Sequence, residues 1–437
     1  MSDFQLHTFG CKVNTYDTGL LQQGLKRHRF ADSATSWRSH VHILNTCAVT
    51  AEATRDATRL ARRIKSQDPL ATVVVTGCAA QVDTESFSAA PGIDLVIANS
   101  HKGFLPQLID QYFKGDRAQK VWKSNIFQKE DLEAGGGVES SHSRAFLKIQ
   151  DGCNSFCTYC VIPFARGKSR SISIDGLVSR VLELQAAGHH EVVLTGVHIG
   201  DYTDGKGSAP AGLEDLIEAL LKKTQMKRFR LTSLEPVEVT PRLLELYQDP
   251  RLCAHFHMSI QSATTSVLTQ MKRKYDQSQV VSALEKIATQ VPSAFVGMDV
   301  IAGFPTESEE DFEDTYRVLA ATPWTRLHVF PYSERPGTKA KLLADTVPVP
   351  VRKERAGKLR QLSLHRYQQE AQKQVSTRKQ VLVLRQPSYG AQGLSRDYWN
   401  VKLSESLRPQ DIGSELECEI TGVEMTTHGD LVLQGRM

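Results

Sequence analysis

Short apolar runs alternate with helically spaced segments from residue 3 to about 115 of the 437-residue chain. The runs fall at about 3–9, 41–46, 71–77 and 94–99. Segments of helical period fill 16–28, 51–66 and 102–114. Continuous apolar runs such as VVV in ATVVVTGC fit strands buried on both faces, so the order predicts a small doubly wound α/β domain with a parallel sheet.

From residue 144 the alternation resumes. Strands are expected at 145–150, 191–197, 228–233, 255–260, 294–303 and 327–333, separated by helical stretches such as IDGLVSRVLELQAAG and QVVSALEKIATQ. Six β/α units suggest a parallel barrel two units short of closure, with an open lateral face. Short alternating runs at 379–386, 398–403, 415–424 and 429–435 then predict a small antiparallel β-barrel. Between the first two regions lies LEAGGGVESSHS, whose triple glycine and serines read as a linker. The expected organisation is an N-terminal domain over 1–130, a linker over 131–143, a partial barrel over 144–374 and a β-barrel over 375–437.

Apolar residues make up 40% of the chain and charged residues 23%, which excludes a disordered or fibrous class. No apolar stretch approaches the ~18 residues of a membrane span. MSDFQLHTFGCK lacks the basic, apolar and small-residue order of a signal peptide, so a cytoplasmic protein is expected. The net charge of +4 is unevenly spread: residues 352–379 hold nine Lys or Arg and two Glu, a local +7. That segment reads either as a nucleic-acid footprint or as a solvated basic helix. Arg55, Arg59, Arg62 and Arg63 cluster within about two turns of a predicted helix, facing phosphate or water.

The eight cysteines do not form a disulfide pattern. Three of them, Cys153, Cys157 and Cys160, form Cys-x3-Cys-x2-Cys directly after the first barrel strand. Cys11, Cys47 and Cys78 are far apart, yet each ends an apolar run: FQLHTFGC, VHILNTC and ATVVVTGC. In a parallel sheet the carboxyl ends of the strands share one edge, so three such thiols can meet there. Gly10 and Gly77 beside two of them could let a ligand approach the backbone. Triplets of thiols favour iron–sulfur clusters with an open iron over four-ligand zinc, for which His142 or His198 would be the conceivable fourth ligand. Cys253 and Cys418 read as packing residues.

These features together resemble the radical S-adenosylmethionine methylthiotransferases along essentially the whole chain. The resemblance rests on TFGCKVNTYD, NTCAVTAEA, VTGCAAQ and RAFLKIQDGCNSFCTYCVIPFARGKSRS, supported by EVVLTGVHIGDY, RLTSLEP, HMSIQSATTSVLTQMKRKY, DVIAGFPTESEEDF and HVFPYSERPGTKA. The C-terminal barrel resembles a TRAM domain. Where the family commonly has Gly after Gln-Ser, this chain has Ala263.

The resemblance implies two 4Fe–4S clusters. Cys153, Cys157 and Cys160 would hold the one whose open iron chelates S-adenosylmethionine, with Tyr159 near the adenine. One-electron cleavage then yields a radical able to act on an unactivated carbon. Cys11, Cys47 and Cys78 would hold an auxiliary cluster carrying the sulfur, and each turnover would consume two S-adenosylmethionines. Thr195, Gly196, Glu235, Gln261 and Ser262 lie at barrel edges where cofactor contacts are expected in this fold, though such residues equally form turns and caps. GCKVN and NTCAVT are most similar to the branch that converts N6-threonylcarbamoyladenosine at position 37 of tRNA to its 2-methylthio form. Expected partners are the tRNA anticodon loop and an electron donor such as a flavodoxin or ferredoxin, with the sulfur donor unspecified. Tyr398 and Trp399 either stack on bases or line the β-barrel wall. Competing readings are methylthiolation of isopentenyladenosine or of a ribosomal-protein aspartate, and a non-enzymatic iron–sulfur or zinc protein that binds RNA.

Overall fold

Strand β1 (Asp3–Thr8) pairs in parallel with both β2 (Ala31–Asp32) and β3 (Val41–Thr46), and β4 (Thr72–Gly77), β5 (Leu95–Ala98) and β6 (Val121–Trp122) extend the sheet in the order β2-β1-β3-β4-β5-β6. This is a computed structural model, which describes residues 3–28, 30–32, 40–115, 119–130, 132, 143–205, 210–388, 391–404, 407–426 and 430–437. Helices α1 (Lys12–Arg27) and α5 (Leu105–Phe113) cover one sheet face through Leu21, Leu25 and Ile109 on Ile43, Val74 and Ile97. On the other face, α2 (Ala51–Gln67), α3 (Cys78–Val82) and α4 (Thr84–Ala89) set Ala61, Ile64 and Phe87 on Leu44, Val73 and Val96. Every residue of β3, β4 and β5 is buried, which explains the continuous apolar runs of β4 and β5 and the run of β3 interrupted by His42. Strand order reverses between β1 and β3, and such a switch point is where open α/β sheets bind ligands.

The central region is built from six parallel strands. β7 (Arg144–Lys148) is followed by a two-stranded pair, β8 (Gln150–Asp151) with β9 (Arg170–Ser171), between which lies α6 (Ile162–Arg166). Then come α7 (Ile174–Ala186), β10 (Glu191–Thr195), α8 (Leu213–Lys223), β11 (Arg228–Leu231), α9 (Pro241–Leu246), β12 (His255–Gln261), α10 (Thr265–Gln270), α11 (Gln277–Gln290), β13 (Phe295–Ala302), α12 (Glu309–Ala321), β14 (Arg326–Pro331) and α13 (Val349–Gln372). The sheets β11-β10-β7 and β12-β13-β14 are linked by the parallel bridge Leu234↔Met258. Alternation decides the two faces. Phe256, Met258, Val296, Met298, Val300, Leu327 and Val329 join the helix-side core, whereas the intervening His257, Asp299, Ile301 and His328 face the barrel interior.

Strands β15 (Arg378–Ser388), β16 (Ala391–Ser395), β17 (Asn400–Leu403), β18 (Glu415–Met425) and β19 (Leu431–Arg436) close into a barrel in the order β15-β16-β17-β19-β18. One of its pairings, β17 with β19, is parallel rather than antiparallel. Trp399 is only 2% exposed and stacks on Tyr367, and Tyr398 packs on His255 and beneath Arg230, so neither is presented for base stacking. This barrel is pinned beneath the central strands by buried charge: Glu191 pairs with Arg228 at 2.7 Å and Arg230 at 3.0 Å, and both guanidiniums donate to the Ser395 carbonyl.

The basic segment is in part structural, while its Lys353, Lys373 and Arg378 are exposed. Arg352 and Arg355 are buried, and Arg352, Arg355, Arg360 and Arg366 donate to carbonyls of Tyr332, Glu307, Val329 and Thr322, respectively. The arginines of α13 therefore fasten that helix to the central strands. The expected linker 131–143, apart from Leu132 and Ser143, lies outside the described residues, as does His142. Cys253 and Cys418 are buried. No helix of the described residues is long and apolar enough to cross a membrane.

Candidate active site

Cys11 caps the start of α1, Cys47 follows β3 and Cys78 opens α3, so the three thiols stand at the carboxyl edge around the strand-order switch. Gly10 (φ 92°) and Gly77 (φ 95°) adopt left-handed backbone. A Cβ on Gly10 would lie 2.5 Å from Cys47 Cβ, and one on Gly77 would lie 2.4 Å from the Thr46 carbonyl oxygen. These glycines thus admit neighbouring chain rather than a ligand. Cys47 and Cys78 are 5% and 3% exposed, whereas Cys11 faces solvent. Burial, followed by repulsion from Cys78, pushes the Cys47 thiol up to about 12. A cationic centre bound there would favour the thiolate.

The second triplet occupies the loop between β8 and α6. Cys153 N–H bonds the Gly167 carbonyl at 3.1 Å, and Thr158 N–H bonds the Met271 carbonyl at 3.1 Å. Gly152 (φ 78°) permits the crossing, since a Cβ there would lie 2.0 Å from the Lys168 carbonyl oxygen. Burial, then the Cys157 and Cys153 thiols, push Cys160 up to about 12. Among the described residues, the sets of three ligand atoms within 4.8 Å of one another are Cys153–His198–Asp201 and His198–Glu235–Glu238, and neither cysteine triplet closes to that spacing. A tetrahedral zinc holds its thiolates about 3.8 Å apart. The wider thiol sets suit a multi-iron cluster better.

Arg273 organises the neighbourhood of Cys157. Its Nη1 donates to Cys157 Sγ at 3.2 Å and to the Tyr159 hydroxyl at 3.4 Å, while Nη2 meets Glu235 Oε1 at 3.0 Å. Glu235 is buried, and that burial raises its carboxyl above the usual range despite Arg273 and His198. His198 lies between Asp201 at 3.2 Å and Glu238 at 2.5 Å, with Cys153 beside it. Tyr159 and Gln261 line a cavity of about 220 Å³ together with Val49, Thr50, Asp299 and Tyr332. Gln261 holds a left-handed φ of 63° at a register shift in β12, a conformation that costs a non-glycine residue about 1–3 kcal/mol.

The remaining anticipated residues sit differently. Thr195 ends β10 on the buried interior face. The space over Gly196 is taken by Gln150, whose Oε1 would lie 2.9 Å from a Cβ and accepts the Val197 and His198 N–H groups at 3.0 Å. Ser262 is buried away from the cavity lining, 3.3 Å from the Thr315 hydroxyl and accepting from Thr264 N–H.

Three residues went unassigned from sequence: Gln150, Arg166 and Arg273. Arg166 donates through Nε to Cys78 Sγ at 3.1 Å, through Nη1 to Asp151 at 3.0 Å, and through Nη2 to Asn14 at 2.6 Å and Asp17 at 3.0 Å. Asp17 also takes Lys102 and Lys148. A buried charge network therefore ties the first triplet to the loop of the second. Arg166 lies in FARGKSRS and Arg273 in MKRKY, both within family-like segments, but partners as distant in sequence as 152 and 116 residues leave no local signal.

Comparison with known proteins bears on this geometry. The family model of the Radical SAM superfamily matches residues 147–319, and that described as Uncharacterized protein family UPF0004 matches residues 3–98. The threonylcarbamoyladenosine tRNA methylthiotransferase MtaB of Aquifex aeolicus is 37% identical, covering 86% of this chain and 92% of the relative. That of Rickettsia prowazekii is 33% identical, covering 96% and 95%. A tRNA-2-methylthio-N(6)-dimethylallyladenosine synthase of Novosphingobium aromaticivorans is 31% identical over 99% and 97%. Among solved structures, the radical S-adenosylmethionine methyltransferase TsrM of Kitasatospora setae, with cobalamin and a 4Fe–4S cluster bound, is similar in fold, with a TM-score of 0.55 at 13% identity over 78% of this chain and 77% of that one. With both family models falling on the regions that carry the two triplets, the chain belongs to the radical S-adenosylmethionine methylthiotransferase family and is a transferase.

Proposed function

We propose that this enzyme inserts a methylthio group at C2 of N6-threonylcarbamoyladenosine 37 of tRNA. The observation that carries the reading is the cavity walled on one side by Val49 and Thr50, next to Cys47, and on the other by Tyr159 and Gln261, next to the Cys-x3-Cys-x2-Cys loop. A base entering it would lie between the segments that carry the two triplets. Similarity to the threonylcarbamoyladenosine enzymes supports the choice of substrate.

Cys153, Cys157 and Cys160 would hold a 4Fe–4S cluster with S-adenosylmethionine, and Cys11, Cys47 and Cys78 a second one. Bound there, these groups supply one-electron chemistry at an unactivated carbon and a methylated sulfur, at two S-adenosylmethionines per turnover. Within this arrangement Arg273 holds Tyr159 and Glu235 around Cys157, His198 is held by Asp201 and Glu238 beside Cys153, and Gln261 shapes the cavity wall. Thr195, Gly196 and Ser262 support these positions. Arg55, Arg59 and Arg62 are exposed along α2, which starts at the cavity wall, and form a path for tRNA phosphates. A flavodoxin or ferredoxin would supply the electron, in the cytoplasm.

Nucleoside mass spectrometry of tRNA from cells with and without the gene tests the proposal. Loss of the 2-methylthio-N6-threonylcarbamoyl nucleoside with accumulation of its precursor is expected. Loss of the isopentenyl derivative instead, or an unchanged profile, overturns the substrate.

A further inference from the structure

The barrel interior carries polar groups below the cavity that neither cysteine triplet nor its partners employ. In β12, β13 and β14 the interior-facing residues at two successive levels are His257 with Gly297 and Asp299 with His328, each pair in register. His257 Nε2 meets Asp299 Oδ2 at 3.0 Å, which leaves its Nδ1 directed elsewhere. The two imidazole rings lie 5.5 Å apart. Between them Gly297 has no side chain, and a Cβ there would stand 3.8 Å from both His257 Nδ1 and His328 Nε2. A methyl-sized space results, flanked by two ring nitrogens and lying 3.7 Å from Phe295 Cε1.

Its surroundings are cationic and reachable. Lys12, the first residue of α1 and the neighbour of Cys11, brings its ammonium close enough to act on His328, His255 and Tyr398. Arg326 is engaged with Asp430 at 2.8 Å. Asp299 and His257 keep 26% and 20% of their side chains accessible, and Asp299 also lines the cavity, two residues or about 6.6 Å below Ile301 on the same wall. The set therefore offers N–H donors at its base and one carboxylate acceptor at its rim.

We propose that the N6 substituent of the target adenosine lies in the cavity with its far end turned toward this polar wall, Lys12, His257 and His328 taking its carboxylate and Asp299 accepting its hydroxyl or urea N–H. This rests on the threonylcarbamoyl reading and deepens it by assigning the recognition of that group. A hydrocarbon substituent would shield these partly exposed groups from water and offer them no hydrogen-bonding atoms in return, which is how a polar site rejects an analogue that lacks those atoms.

The test measures binding of anticodon stem-loop RNAs to the whole chain with reconstituted clusters, by fluorescence anisotropy. Four probes carry at position 37 threonylcarbamoyladenosine, its methyl ester, isopentenyladenosine or adenosine. The wild type is expected to bind the acid about tenfold more tightly than the ester. Lys12→Met and His328→Leu should each bring that ratio to within about twofold of one, with iron content and binding of the adenosine probe unchanged. Gly297→Ala provides an independent variant, because its methyl group makes only ordinary contacts in the folded chain yet occupies the space between the two ring nitrogens that the carboxylate would approach. It should also erase the preference. Variants that keep the wild-type ratio overturn the proposal, as does a wild type that binds acid and ester equally while preferring both to the isopentenyl probe. A wild type that prefers the isopentenyl probe overturns the substrate reading itself, before any variant is made.

Discussion

Arg166 Nε donates a hydrogen bond to Cys78 Sγ at 3.1 Å, although the arginine ends α6, the helix that follows the loop holding Cys153, Cys157 and Cys160. The same guanidinium meets Asp151 and Asp17, and all three side chains are at most 10% exposed. Replacing it by Gln leaves two buried carboxylates short of a partner, a change that costs about 3–5 kcal/mol. Arg166→Lys keeps the charge but loses the planar fork that reaches four partners at once. Chemical denaturation should show the larger loss for Gln, and electron paramagnetic spectra of the reconstituted Lys variant should change for the centre at Cys78 while the other centre keeps its signal. Unchanged spectra would mean that Arg166 only packs.

Metal content separates the two triplets. About eight irons per chain are expected for two cubane clusters. Cys47→Ala should retain about half of that iron, cleave S-adenosylmethionine and insert no sulfur, whereas Cys157→Ala should abolish cleavage. Methylthiolation retained in the Cys47 variant would sink the assignment of the first triplet. Zinc in place of iron would sink both.

Much of this site was legible because its signals are local. Cys47 and Cys78 each follow a strand that is buried throughout, Cys11 follows the less buried β1, and parallel pairing brings those strand ends together. The start of α1 was less visible, since Lys12, Val13 and Asn14 precede the first clear helical period, yet Asn14 is buried and donates to the Phe9 and Thr46 carbonyls. Two-residue strands such as β2 and β6 carry no periodicity at all. The arginines of α13 were misleading for another reason: a sequence shows charge but not the carbonyl oxygens of β14 and the loop after α12 that receive it. For Trp399 the pattern indicated a strand context only, and the stacking partner Tyr367 lies in α13, outside the β-barrel.

Phosphate binding should be readable as salt dependence. Arg55 and Arg62 are exposed on α2, which leads from the cavity wall. Arg55→Ala and Arg62→Ala are expected to weaken tRNA binding equally for modified and unmodified adenosine 37. The slope of log K against log salt should become shallower by about 0.7 for each phosphate of a single-stranded loop that is no longer neutralised. Iron content should stay at the wild-type level. A slope unchanged in the double variant would place the tRNA path elsewhere.

Acid stability should report Glu191. Burial alone would raise its carboxyl, but Arg230, Arg228 and Arg144 outweigh that and hold it well below the usual carboxylate range. A group whose folded value is depressed adds stability above its unfolded value of about 4.3, and that contribution is lost as pH falls from there toward the folded value. Glu191→Gln is fully buried and leaves Arg228 and Arg230 facing each other without a counter-charge, so it should cost about 3–5 kcal/mol at neutral pH. Both arginines also donate to the Ser395 carbonyl of the C-terminal barrel, so the variant should release that barrel to limited proteolysis before the central strands unfold. Denaturation midpoints of the two proteins, measured from pH 7 to pH 3, should converge below about pH 4.3 as the wild type loses its advantage. A gap that stays constant across that range would mean that the carboxylate charge contributes nothing, and that shape alone holds the interface.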